Sequence, residues 1–279
     1  ALVTGGGGVV GIAWEAGLLV GMAEAGVDVR NADLFLGTSA GSAVAAQLTS
    51  GISLDKLFQL QVDPALQSRE LSAAIDFKQI SADFTRIVQE GGTIAEKLRK
   101  IGALALATPT VTEAERRAVI VSRLPVQHWP QKRLAIVAIN ASSGERVVFE
   151  RESGVSLIDA VAASCAVPCV WPPVSINGRR YIDGGSYSAA NADLAVGCER
   201  VLILQPDVPP LIQESLETQV EQLRSGGAQV EIIMPDETLK AILASVGGNL
   251  LDPSARERAA HAGRAQGRKA AAGIISLWQ

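Results

Sequence analysis

Ala1-Leu2-Val3-Thr4 is an apolar run that breaks off in four glycines, Gly5 to Gly8, and reads as a buried strand. An apolar helical stretch follows from Gly11 to Ala25 and stops at Gly26. Leu34 to Leu36 is a second short apolar run, and Ser42 to Leu48 is compatible with a helix. This succession of strand, helix, strand and helix predicts a parallel sheet with helices outside it. Residues 52–125 differ. They are richer in charge and glutamine and carry helical periodicity, as in Ile94-Ala95-Glu96-Lys97-Leu98-Arg99. They predict a helical insertion, either a lid or a cover for one sheet face. Beyond it, Arg133 to Ile139 alternates into a strand, Ser142 to Glu145 turns, and Arg146 to Phe149 returns. Leu157 to Val167 predicts a small-residue helix ending near Pro168, and Asn177-Gly178 a hairpin turn before Arg180-Tyr181-Ile182. Val201 to Leu204 and Gln229 to Ile233 read as strands, and Arg256 to Ile275 as an alanine-rich helix.

Composition sharpens this picture. Of 279 residues, 48% are hydrophobic but only 4% aromatic, so the core is expected to pack helix on sheet through small side chains. The net charge of −4 leaves no nucleic-acid footprint. The densest cationic run, Arg264 to Lys269, fits a solvated helix face. Cys165, Cys169 and Cys198 are odd in number and lack metal-ligand spacing. Buried reduced thiols in a reducing compartment are expected, with no metal or cofactor. Two uncharged runs, 34–54 and 160–178, are broken by glycine, hydroxyl residues or Pro168, Pro172 and Pro173, and do not read as membrane spans. No secretory signal is visible. A cytoplasmic or membrane-peripheral location is expected, with export left open because the chain starts inside a strand.

The chemistry concentrates at three places. Gly37-Thr38-Ser39-Ala40-Gly41 sets a serine between glycines, after an apolar run and before a helix, as a nucleophile elbow requires. Gly37 and Gly41 leave room for the tight turn, and the following helix points its positive end at the serine oxygen. Gly6, Gly7 and Gly8 end the first strand, where backbone N–H groups can approach a substrate oxygen; Gly11 and Ala40 complete this oxyanion and substrate-binding set. Asp183, followed by Gly184 and Gly185, sits at the end of a strand, as a base for Ser39 would; an ordinary turn aspartate is the plainer reading of that dipeptide. An aspartate is a weak base unless burial raises its pKa.

Other chemistries fit less well. Gly6 to Gly11 also satisfies the dinucleotide fingerprint, but Asp33 precedes the next strand instead of ending it. The order Ser39, Asp183, His261 mimics a hydrolase triad, yet only two strands precede the elbow. His128 as the base of an acyltransferase is the enzymatic alternative, and a catalytically silent binding protein is the non-enzymatic one.

Taken in order, Gly6 to Gly11, Gly37 to Gly41 and Asp183 to Gly185 resemble the patatin-like phospholipase family, bacterial type. Ala163-Ser164-Cys165-Ala166-Val167-Pro168, Trp171-Pro172-Pro173-Val174 and Tyr181-Ile182 are similar to it as well. The resemblance implies a three-layer α/β/α fold with a mostly parallel sheet, one domain over 1–279, and 52–125 as the insertion or lid. It implies lipid acyl hydrolysis of the phospholipase A or lysophospholipase type by a Ser–Asp dyad, without metal or cofactor. Ser39 would be the nucleophile, Asp183 the base, and Gly6, Gly7 and Gly8 the oxyanion hole. The expected partner is a lipid or other acyl ester, met through transient contact with a membrane surface. Val10 stands where the family often carries Arg or Lys, which shifts the expectation toward neutral esters, lysolipids or thioesters.

Overall fold

Strand residues alternate between two apolar faces, and the chain answers with helices on both. The computed structural model describes residues 1–71, 77–206 and 215–278. Among these residues one 8-stranded mixed sheet forms. Its strands are β1 (Leu2–Thr4), β2 (Leu34–Thr38), β3 (Arg133–Asn140), β4 (Arg146–Phe149), β5 (Val174–Ile176), β6 (Arg179–Asp183), β7 (Arg200–Leu204) and β8 (Gln229–Ile233). The order is β5-β6-β3-β2-β1-β7-β8, with β4 paired to β3. β3, β2, β1, β7 and β8 run parallel; β4 and β6 are antiparallel to β3, and β5 to β6.

The helices are α1 (Gly8–Glu24), α2 (Ala40–Leu48), α3 (Leu54–Val62), α4 (Phe77–Gln89), α5 (Ile94–Ala107), α6 (Glu113–Arg123), α7 (Leu157–Ser164), α8 (Leu216–Ser225), α9 (Glu237–Ser245) and α10 (Arg256–Trp278). Leu2, Phe35, Ile136 and Leu202 face a core shared with α1, α2, α7 and α10. Their neighbours Val3, Leu36, Val137 and Ile203 face the other side, where α8 brings Val220 and Leu223. This period-two division makes the three-layer α/β/α architecture. Small residues let the first layer close. A Cβ on Gly17 of α1 would lie 2.1 Å from the Ala260 carbonyl oxygen, and one on Gly263 of α10 2.2 Å from that of Trp14. The two helices therefore touch backbone to backbone.

The predicted insertion divides between the faces instead of forming one cover. α4 and α5 bury Phe84, Ile87, Leu98 and Ile101 against Ile139 and Ile182. α3 and α6 place Leu57, Phe58 and Ile120 in the opposite core. Capping boxes at Thr93–Glu96 and Thr112–Glu115 start α5 and α6. Residues 72–76 of this segment lie outside the described residues. Elsewhere the sequence boundaries shift slightly. α1 begins at Gly8, and β2 continues through Thr38. α7 stops at Ser164 because the chain must turn for the Ala166 carbonyl to accept the Asp183 N–H at 3.0 Å. Asn177 and Gly178 both take positive φ, 49° and 74°, as the hairpin turn between β5 and β6 demands. Among the described residues no helix is long and apolar enough to cross a membrane.

The register of β3 sets the site. Val137 pairs with Thr38, and the next residue, Ala138, pairs with Asp183. β4 pairs with Ile136 to Ile139 and so takes the opposite edge of β3. β2 and β6 therefore meet end to end along one edge, and the residues at their tips face each other.

Candidate active site

Ser39 sits at the tip of β2 with φ 53° and ψ −121°, a conformation that a non-glycine residue adopts only when its surroundings impose it. Those surroundings are hydrogen bonds. The Ser39 N–H donates to Ser164 Oγ at 2.9 Å, and Ser164 Oγ donates to the Val137 carbonyl at 2.6 Å. The Ser39 carbonyl accepts from the Ser42 N–H at 2.9 Å, Ser42 Oγ at 2.6 Å and Cys165 Sγ at 3.1 Å. Gly41 lets β1 close on the turn. Its N–H donates to the Gly5 carbonyl at 2.9 Å, its carbonyl accepts from Thr4 Oγ1 at 2.8 Å, and a Cβ would fall 2.1 Å from the Thr4 carbonyl oxygen. Gly37 packs beneath Ser42 on the other flank. Because the Gly41 clash is with backbone, Gly41→Ala is expected to cost about 3 kcal/mol or more of stability, read as a lower urea midpoint. An unchanged midpoint would mean that the turn is not packed this way.

Asp183 ends β6 opposite Ser39. Ser39 Oγ donates to Asp183 Oδ2 at 2.6 Å, and the Gly185 N–H donates to Oδ1 at 2.7 Å. Gly184 rests against the Val137 carbonyl. Buried Asn191 ties the tip of β2 to the loop that follows β6, donating through Nδ2 to the Ser188 carbonyl at 2.6 Å and to Thr38 Oγ1 at 3.1 Å. Burial pushes the Asp183 carboxyl up from 3.8 to about 7; the hydrogen bonds from Ser39 and Gly185 and the charge of Arg116 restrain the rise. A carboxylate so placed is far more basic than one in water.

Both side chains open onto a cavity of about 430 Å³. Gly6, Gly7 and Gly8 edge it, and Val167, Pro168, Val170, Leu250 and Leu251 give it apolar walls. The glycines differ in what they offer. The Gly6 N–H donates to the Ala189 carbonyl at 2.8 Å and is already used. The N–H groups of Gly7, Gly8 and Ala40 have no acceptor among the described residues. Gly11, expected in the substrate-binding set, faces Pro206 and the Ala40 methyl instead of the cavity, because it lies one turn into α1. Among the described residues no group of three or more His, Cys, Asp or Glu side chains is placed to hold a metal ion.

The histidines stand elsewhere. His128 is exposed in the loop before β3, and His261 lies on α10 edge-on to the Phe58 ring, with centroids 5.4 Å apart. Neither lines the cavity. Asp33 precedes β2, at the end of that strand remote from Ser39. Cys165 and Cys169 are buried and Cys198 is half-buried, all as free thiols. Sequence reasoning missed the supports: Ser164 and Cys165, quoted only as part of a motif, Asn191, and the wall at 247–251.

The family model described as "Patatin-like phospholipase" matches residues 2–196 of this chain. No curated protein matches it. Among solved structures, VipD from Legionella pneumophila is 14% identical with a TM-score of 0.48, over 98% of this chain and 66% of that one. The type III effector protein ExoU is 15% identical with a TM-score of 0.44, over 98% of this chain and 52% of that one. The chain thus spans about two thirds of the first and about half of the second.

Proposed function

This chain belongs to the patatin-like phospholipase family, and on that premise we propose that it is a serine lipid acyl hydrolase working through a Ser39–Asp183 dyad and an acyl-enzyme. The observation that carries the reading is the 2.6 Å hydrogen bond from Ser39 Oγ to a buried carboxylate in the floor of an apolar cavity. Ser39 Oγ attacks the ester carbonyl carbon while its proton passes to Asp183 Oδ2. The carbonyl oxygen becomes an oxyanion and is received by the unused N–H groups of Gly7, Gly8 and Ala40, each worth about 3 kcal/mol of barrier. As the intermediate collapses, the carbon–oxygen bond to the alcohol breaks and Asp183 returns the proton to it. Water then attacks the acyl-enzyme, giving its proton to Asp183, and Ser39 leaves with that proton as the fatty acid is released.

The acyl chain would lie along Val167, Val170, Leu250 and Leu251. Because the last two come from beyond residue 196, the catalytic unit is taken to reach past the region that the family model matches. No step in this scheme calls on an imidazole.

The base must be ionised to act, so kcat/KM for a p-nitrophenyl ester is expected to rise with pH, tenfold per unit below about 7, and then level off. The ascending limb should centre near 7, not near 4. A profile flat from pH 5 to 9, or a failure to hydrolyse any ester of short or long acyl chain, would contradict the reading.

A further inference from the structure

Gly5 follows β1 and stands at the root of the glycine loop. Its peptide group is held from three sides. The carbonyl accepts from the Gly41 N–H of α2 at 2.9 Å. The N–H donates to the Leu204 carbonyl of β7 and to Glu15 Oε1, each at 2.9 Å. Glu15 lies on α1, about two turns past Gly8, and is 0% exposed. The dyad gives this acid no task. Its second oxygen, Oε2, has no hydrogen-bond partner among the described residues. Two influences act on the carboxyl: burial raises it well above 4.5, and the Gly5 N–H restrains the rise.

A second orphan oxygen adjoins the same glycine. Gln205 follows β7 and is 6% exposed. Its Nε2 donates to the Pro206 carbonyl at 2.7 Å, which fixes which way round the amide sits. Oε1 is therefore left as an acceptor. It has no partner among the described residues, and it stands 3.1 Å from where a Cβ on Gly5 would be. Pro206 in turn backs the loop, since a Cβ on Gly7 would fall 2.6 Å from the proline Cβ. Two oxygens of this kind can share a hydrogen bond only when one of them carries a proton.

We propose that Glu15 is a positioning residue kept as the neutral acid: Oε1 accepts from the Gly5 N–H and Oε2 donates to Gln205 Oε1, which sets the N–H groups of Gly7 and Gly8 for the oxyanion. The inference rests on the Ser39–Asp183 reading, in which those N–H groups receive that charge. One proton satisfies both orphan oxygens and ties α1, β1 and β7 together where the loop begins. It also removes an electrostatic conflict. An ionised carboxylate at the root of the loop would oppose the negative charge developing on the substrate oxygen. The neutral acid gives the same support without that field. Glutamine matches the protonated acid in shape and in its pair of donor and acceptor, but not the ionised one. Substitution by glutamine therefore separates the two states.

The test combines kinetics on a p-nitrophenyl ester with infrared difference spectra at pH 9. Glu15→Leu is expected to lower kcat about a hundredfold with KM nearly unchanged, because the loop shifts while the cavity stays. Glu15→Gln is expected to restore kcat to within about threefold of wild type. The carbonyl band of a protonated carboxylic acid should be present in the wild type, persist in Asp183→Asn and vanish in Glu15→Gln. Should Glu15→Leu fail to fold, the glutamine variant and the band still decide. A wild type without that band, or a band that survives in Glu15→Gln, would overturn the proposal. So would a folded Glu15→Leu protein with wild-type kcat, or a Glu15→Gln protein as slow as a folded Glu15→Leu. Any of these, with ester hydrolysis intact in the wild type, would leave the Ser39–Asp183 reading standing. A wild type that hydrolyses no ester would fail that reading instead, while the infrared band would still report the state of Glu15.

Discussion

Ser39→Ala is expected to lower kcat/KM for a p-nitrophenyl ester by about ten-thousand-fold or more, with the melting temperature close to wild type. The two halves of that result follow from different atoms. Apart from the Oγ hydrogen bond to Asp183, the contacts that Ser39 makes in the turn come from its backbone: its N–H to Ser164 Oγ, and its carbonyl to Ser42 and Cys165. Alanine keeps all of them. What it loses is Oγ, the atom that would form the acyl-enzyme. The remaining N–H donors and the apolar cavity still bind and polarise an ester, so activity falls to a residue instead of to zero. Retention of more than a tenth of the wild-type rate would show that another nucleophile does the work.

Asp183→Asn is expected to reduce turnover by about a thousand-fold or more and, above neutral pH, to stabilise the protein. The amide oxygen can take the place of Oδ1 and accept from the Gly185 N–H, while Nδ2 takes the place of Oδ2 and donates to Ser39 Oγ, so the geometry survives while the proposed base is lost. The sign of the stability change follows from linkage. The carboxyl is raised in the folded protein, from 3.8 to about 7, so the folded state holds the proton more tightly than the unfolded one. Its contribution is therefore fully present below about pH 4 and is lost as pH rises toward 7. In magnitude that rise corresponds to roughly 4 kcal/mol, which asparagine would not forfeit. Buried Glu15, also raised well above 4.5 by burial, drives stability in the same direction and remains in the variant. Urea denaturation at pH 5 and pH 8 should show a smaller difference for Asp183→Asn than for wild type. Equal differences would mean that Asp183 is ionised without penalty, and its role as a tuned base would fall. On the proposed mechanism, the burial that weakens the fold at neutral pH is also what would make the group basic enough to accept a hydroxyl proton.

Much of this was legible in the chain, for local reasons. β1, β2 and the elbow are written in a few adjacent residues, since an apolar run, a tight turn and a helix start each have short-range signals. Asn177-Gly178 specified its hairpin in the same way, both residues tolerating positive φ. Ser39 and Asp183 were identified separately, but their meeting depends on Val137 and Ala138 pairing with successive strand tips, which no local pattern states. α8 went unread because its sequence is mostly polar and it buries just Gln219, Val220 and Leu223. Arg116 sits in a charged helix of the predicted insertion, where no local signal marks it for burial, yet packing on Trp171 buries it. The wall at 247–251 has no periodicity, and its place is set from a distance, by the Val10 N–H donating to the Leu250 carbonyl at 3.1 Å. Gly6 and Gly11 show the limit of motif reading. Both belong to the glycine run, but one spends its N–H on Ala189 and the other turns away from the cavity.

The most direct test of the dyad is the rate at which a fluorophosphonate modifies the protein as pH is varied, followed by intact mass and located by peptide mapping. The adduct should form on Ser39, with a rate that climbs through about pH 7 in the wild type and stays slow and flat in Asp183→Asn. Modification at another residue, or a pH dependence that survives in Asp183→Asn, would contradict the assignment of this serine and this carboxylate as a working pair.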